Sequence, residues 1–454
     1  MNYLRHKLAV IHHTPQSSVR PGAVESPFSG EYLYSRPDDT RPMAVGFRFL
    51  GGADEVGNVA LELEFDGARF LCDYGYKPTR PPTFPQNLSH EPDMVLLSHA
   101  HVDHSGMIPH LSNLAEAPVL ATHMTQALAE LLAYDSIKVA KGEGYELPYD
   151  SSDVRQAQGL YDRAGFGANR EVRNVGVRLR SAGHIPGATM FELEGSKRLL
   201  FSGDINTTDT LLVKGTKSRK CDILFLESTY AGREHPDREE TQRHFVERVE
   251  EVVDAGGTAI IPVFAVGRTQ EVLMALYRLG LETWVDGMGQ KVDKIMLDDP
   301  GYLRDASFLR KADGRARYVR GEALRNTAAR SEVVVTTGGM LDGGPVLEYL
   351  RIHRGDPRCV VFLTGYQVEG TNGRMLLEKG LIDLGMGPER IVPKVEFYDF
   401  SAHSGHSELV EFVKGCGPEK VVLFHGDERE KLAADLERDF EVLMPKNMQN
   451  VRLP

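Results

Sequence analysis

Residues 93–111, DMVLLSHAHVDHSGMIPHL, constrain the chain more than any other stretch. The apolar run Met94, Val95, Leu96 and Leu97 stops at a polar cluster, the pattern of a short buried strand. Four metal-ligand side chains follow within six positions: His99, His101, Asp103 and His104. Ser105 and Gly106 then read as the opening of a helix, with Ser105 as its N-cap. A loop pinned between a buried strand and a helix start has the stiffness a metal site needs. Imidazole and carboxylate are ligands that suit zinc where thiolate is absent. In an extended loop His99 and His101 point the same way, while Asp103 and His104, past a bend, address a second ion.

The chain of 454 residues is too long for one hydrophobic core, so two or three domains are expected. No apolar run approaches the ~20 residues of a membrane span, and no signal-peptide segment opens the chain. Cys72, Cys221, Cys359 and Cys416 are isolated, which suits a reducing cytoplasm and argues against disulfides or a thiolate zinc site. The net charge of -12 argues against indiscriminate coating of nucleic acid but leaves room for a local basic channel.

Residues 1–44, rich in scattered Pro, Ser, Arg and Gly, read as a loose arm in which His12 and His13 are solvated. The fold begins near Val45. Gly51, Gly52 and Gly57 permit a tight turn with a close backbone approach. Val59, Leu61, Leu63 and Phe65 then alternate with Ala60, Glu62 and Glu64 as a half-buried strand, and Asp66-Gly67 turns a hairpin. The second strand ends at Asp73, placed for a supporting role beside the metals. Helical spacing follows at Ala127, Leu128, Leu131 and Leu132. Strand-like runs at 175–179 and 188–192 enclose a Gly/Pro-rich turn that presents His184. Another strand ends in Gly203-Asp204, whose two oxygens can bridge two cations. CDILFLESTY puts Glu227 at a strand end.

Together LCDYG, HAHVDHSG, AGHIPG and FSGDIN resemble, in order, the motifs of the metallo-β-lactamase superfamily. GGTAIIPVFAVGRTQEVL, EVVVTTGGMLDGGP and FLTGYQVEGTNGRML resemble the β-CASP cassette of nucleic-acid-processing enzymes, and FSAHSGHSEL and VVLFHGDE supply His403 and His425. Among these enzymes the chain is most similar to archaeal relatives of the cleavage and polyadenylation specificity factor endonuclease subunit, with RNase J a near cousin. The resemblance implies an α/β fold: a metallo-β-lactamase αβ/βα sandwich over residues 45–230, an inserted β-CASP α/β domain over 231–384, and a return to the first domain over 385–454 through strands at 395–398 and 421–424. Short apolar runs at 259–263, 333–335 and 360–363, separated by helical spacing, agree with a parallel sheet in the insert.

The resemblance also implies a ligand set. His99, His101 and His184 would hold one zinc, Asp103, His104 and His425 the other, and Asp204 would bridge them. Two such ions clamp a phosphodiester and activate water. His403 matches the general acid, Glu227 the group that orients it, and Asp73 the support behind a ligand. Histidine at 425 points to the branch acting on RNA. Ser404-Gly405-His406 is similar to a Ser-Gly-His segment of RNase J, though the separation from His425 favours His403 as the motif histidine. His406 is then a helix-start residue or a phosphate contact.

Basic residues concentrate at 214–220 and again from Arg304 to Arg330, either as a solvated face or as a track for an RNA backbone. Arg268 and Arg374 lie in glycine-rich turns suited to phosphate contacts, and Ser404, Gly405 and His406 are candidates for the pocket that a 5′-exonuclease needs for a terminal monophosphate. The expectation is a cytoplasmic, zinc-dependent ribonuclease acting on single-stranded RNA, with no membrane association and with a homodimer as one assembly. Internal cleavage is the first expectation and a 5′-3′ exonuclease the alternative. A small-ester or lactam hydrolase is disfavoured by the cassette, and a non-catalytic RNA scaffold by the filled ligand positions.

Overall fold

A computed structural model describes residues 45–454 of the chain. The expected arm at 1–44, with His12 and His13, lies outside these residues. Two seven-stranded sheets face each other. The first runs Val451–Leu453, Val45–Gly51, Ala60–Phe65, Ala68–Cys72, Met94–Leu96, Val119–Ala121, Tyr161–Arg163. The second runs Glu441–Leu443, Lys420–Phe424, Ile223–Glu227, Arg198–Phe201, Thr189–Glu194, Val175–Ser181, Asn169–Val172. Their facing residues form one core, in which Phe49 stacks on Phe424 at 5.5 Å and Phe47 meets Phe225 edge-on at 5.1 Å. Helical segments, among them Ile108–Leu111, cover the outer face of the first sheet.

Most local expectations follow the residue pattern. Asp66 and Gly67 both have positive φ, 47° and 77°, as the tightest hairpin turn requires. The strand Ala60–Phe65 is more enclosed than its alternation suggests. Glu62 on its polar side is also buried, held by Arg48 Nη2 at 2.7 Å and by Ser89. Ser105 opens no helix. It closes the short helix Val102–Ser105, and its hydroxyl donates to the Ala100 carbonyl, so Asp103 and His104 ride on a helical turn. The four cysteines are free and buried. No described helix is long and apolar enough to cross a membrane.

The insert carries a six-stranded sheet, parallel throughout, ordered Arg317–Tyr318, Thr283–Asp286, Val333–Thr337, Ala259–Val263, Val360–Leu363, Lys394–Phe397. Its last strand corrects the expected return at 395–398. Lys394–Phe397 pairs with Val360–Leu363 inside the inserted sheet, so the chain crosses back only after Phe397. The expected strand at 421–424 does lie in the sandwich, beside Ile223–Glu227.

Candidate metal centre

The site sits where strands of both sheets end. Asp73 follows Ala68–Cys72, His99 follows Met94–Leu96, Asp204 follows Arg198–Phe201, and His425 follows Lys420–Phe424. Asp73 and His425 hold left-handed backbone, φ 57° and 54°, which costs a non-glycine residue roughly 1–2 kcal/mol each. Hydrogen bonds pin them there: Asp73 N donates to Leu96 O at 3.0 Å and His425 N to Gly52 O at 2.9 Å. Gly75 must be glycine, because a Cβ there would stand 1.9 Å from the backbone of Asp103.

Three imidazole nitrogens and a carboxylate oxygen converge first. His101 Nδ1 lies 3.1 Å from His99 Nε2 and 3.0 Å from His184 Nε2, while Asp204 Oδ2 is 3.5 Å from His99 Nε2 and 3.8 Å from His184 Nε2. Donors around a tetrahedral zinc at 2.0–2.1 Å stand about 3.3 Å apart. The outer nitrogens decide which way the lone pairs face. His184 Nδ1–H donates to the Ala402 carbonyl at 2.7 Å. His99 Nδ1 bonds Ser98 Oγ at 3.0 Å, whose proton goes to Asp73. Burial holds His99 and His184 well below the usual imidazole range and brings His101 down to about 4. Neutral imidazoles with inward lone pairs are what a cation binds.

The second group shares Asp204. Its Oδ2 is 3.4 Å from His104 Nε2, and Asp103 Oδ2 is 3.5 Å from His425 Nε2. His104 Nδ1–H donates to Asp73 Oδ2 at 2.7 Å. His104 Nε2 and His425 Nε2 are buried without a hydrogen-bond partner. Burial disfavours charge on both rings, yet Asp204, with Asp73 and Asp103, raises His104 well above its ordinary range, and Asp204 with Asp103 raises His425 to about 9. This field attracts positive charge, and a metal cation answers it as well as a proton. The orphaned nitrogens and the donor set therefore fit two metal ions.

His403 and Glu227 stand beside this cluster. His403 Nδ1–H donates to Glu227 Oε1 at 3.0 Å, and its Nε2 lies 3.9 Å from Asp204 Oδ2. Glu227 also comes close enough to Asp204 and His425 to be a candidate ligand. Its oxygens are already engaged by the backbone N–H groups of Ile205 and Thr229 and by His403, which suits an orienting role better.

Ser404, His406, Arg374 and Arg268 are the residues expected to touch RNA. Ser404 is buried and its hydroxyl accepts from Thr207 N at 3.0 Å. His406 begins the helix His406–Cys416, accepting from Gly232 N on Nδ1 and reaching Asp435 at 2.8 Å through Nε2. His406 is thus the helix-start residue that was one of its two expected roles, and the side-chain polar atoms of both residues have protein partners. Arg374 lies on the helix Asn372–Lys379, paired with Glu378 at 2.5 Å. Arg268 is 9 % exposed. Ser98 and the Ala402 carbonyl act in the site without having been singled out in the sequence. The serine next to His99 was a readable signal, whereas any residue at 402 supplies a carbonyl.

Comparison with known proteins agrees with this geometry. Residues 69–263 match the Beta-lactamase superfamily domain, 248–376 the Beta-Casp domain, and 388–445 the Zn-dependent metallo-hydrolase RNA specificity domain. The chain is 36 % identical over 427 residues to "Probable RNase MJ4" of Methanocaldococcus jannaschii, spanning 89 % of this chain and 99 % of that protein. It is 34 % identical to "RNase aCSPSF2" of Saccharolobus solfataricus, covering 91 % and 87 % respectively. "Transcription termination factor FttA" of M. jannaschii is 31 % identical, covering 89 % and 71 %. A crystal structure of a protein of unknown function from Enterococcus faecalis shares the fold at 13 % identity, with a TM-score of 0.56 over 90 % of this chain and all of that one.

Proposed function

The chain belongs to the β-CASP family of metallo-hydrolase ribonucleases, and from that premise we propose that it cuts RNA internally with two zinc ions. The convergence of five imidazoles and Asp103 on Asp204, in two groups whose ligand atoms lie within 4.8 Å of one another, carries the reading. His99, His101 and His184 would hold one ion, and Asp103, His104 and His425 the other, with Asp204 between. When bound, such a pair clamps a phosphodiester, neutralises charge on its oxygens and activates water. The protein's own share is positional. Asp73, Ser98 and the Ala402 carbonyl keep the ligand rings oriented, so little reorganisation accompanies the reaction.

His403 gives its Nε2 proton to the departing ribose 3′ oxygen, and Glu227 holds the ring for that transfer. Products are a 5′-phosphate and a 3′-hydroxyl. Internal cleavage is supported by the segment that an end-recognising pocket would use. Ser404 and His406 are tied to Thr207, Gly232 and Asp435, and leave no open donor for a terminal phosphate. Circular RNA tests the mode, since it has no ends. The purified protein with zinc is expected to open and degrade the circle. An intact circle beside degraded linear 5′-monophosphate RNA would establish the 5′-3′ exonuclease alternative instead.

A further inference from the structure

Among the described residues, Arg268 is a buried cation without a partner. It is 9 % exposed, and among the described residues its guanidinium makes no hydrogen bond or ion pair; its Nε is fully enclosed without a partner. The carboxylates within range are committed elsewhere. Glu271 accepts from Arg238 at 2.5 Å and from Leu212 N at 2.7 Å. Asp399 accepts from His235 at 2.8 Å and from Ser401 N at 3.0 Å. Burial first, then repulsion from Arg238, brings the Arg268 pKa down to about 10. A buried cation without a matched anion is strongly destabilising, and a fold retains one where a ligand completes it.

Its place identifies the ligand. Arg268 begins the helix Arg268–Leu276 at the carboxyl end of strand Ala259–Val263, the end of a parallel sheet where ligands bind. The preceding Gly267, at φ 85°, packs so closely that a Cβ would meet Ile185 Cγ2 at 3.2 Å, next to His184. Tyr230, within charge range of Arg268, has its ring 5.8 Å from that of His403 and 4.4 Å from that of His235. Tyr230 thus links His403, beside the metal cluster, to the neighbourhood of Arg268. His403 faces the leaving 3′ oxygen, so groups beyond it meet the nucleotide upstream of the cut.

We propose that Arg268 binds the RNA phosphate immediately 5′ to the scissile one, on the far side of the leaving ribose. The proposal rests on the assignment of His403 to the leaving oxygen. It makes the upstream phosphate, not the base, the feature that seats the substrate.

The test uses full-length enzyme with zinc and an oligoribonucleotide whose cut has been mapped, carrying one neutral methylphosphonate at successive positions. In wild type the substitution just 5′ of the cut slows cleavage about 10- to 100-fold, the scale of one charge-assisted hydrogen bond. Arg268→Gln is slower on unmodified RNA and loses nothing more at that position. Arg268→Met, free of RNA, melts above wild type with zinc unchanged, because an uncompensated charge has left the interior. Equal methylphosphonate losses in wild type and Arg268→Gln, or a variant that melts lower and sheds zinc, would overturn the proposal. An active wild type indifferent to every methylphosphonate would overturn it alone, whereas a wild type inert on all RNA would overturn the ribonuclease reading with it.

Discussion

Little separates His184, proposed as a metal ligand, from His403, proposed as the proton donor. Their ring centroids are 4.5 Å apart, with His184 buried and His403 half-buried. His184 gives its Nδ1 proton to a carbonyl, which leaves the ring neutral and its other lone pair free. His403 gives its proton to a carboxylate. Burial opposes charge on His403, but Glu227 and then Asp204 raise its pKa above the ordinary value, which favours the protonated ring that the proposed role requires. His403→Ala is therefore expected to retain both metals and RNA binding while cleaving ~100-fold or more slowly. Zinc analysis beside single-turnover cleavage checks this, and loss of zinc would make His403 a ligand. The ligand types and spacing at 99–104 were legible because few side chains bind metal. The partners behind them were not, since a serine hydroxyl and a backbone carbonyl carry no compositional mark.

At the scale of elements, periodicity revealed the strands but not always their sheet. Lys394–Phe397 looks like any short strand, and only its pairing with Val360–Leu363 places it in the insert. The helix start misplaced at Ser105 has a similar cause, because Ser caps helices and also bonds back to carbonyls, here that of Ala100. The insert also contains a buried network no motif announces. Asp293, on helix Gly289–Asp298, accepts from Gln270 Nε2 at 2.7 Å and Tyr318 Oη at 2.8 Å. Burial raises its pKa to about 7 despite these bonds. In the unfolded chain this carboxyl ionises near the ordinary value of ~3.9. Between about pH 4 and pH 7 the folded state thus binds the extra proton, and stability falls as pH rises through that window. Asp293→Asn should remove this slope and melt above wild type at pH 8 while differing little at pH 4. Thermal unfolding across that range reads it, and a parallel pair of curves would refute the assignment.

For the whole molecule, the metal edge of the sandwich and the carboxyl ends of the inserted parallel sheet meet around His184, Gly267 and Tyr230. Several basic residues from Arg304 to Arg330 have partners within the protein. Arg304 bonds the Thr210 carbonyl, Arg317 pairs with Glu282, and Arg325 pairs with buried Asp286 at 2.6 Å. Counting arginines could not separate those that brace the fold from one left without a partner, because the difference lies in which carboxylates the fold brings near. In the proposed function RNA is cut with two zinc ions that His99, His101, Asp103, His104, His184, Asp204 and His425 would hold. The most direct test of this is zinc content and RNA cleavage measured on the same preparations of wild type and His101→Ala, with circular dichroism confirming that both are folded. About two zinc per chain with cleavage in wild type, and reduced zinc with cleavage abolished in the folded variant, is the expected result. One zinc per chain, or a folded His101→Ala that keeps its metal and still cleaves, would contradict it.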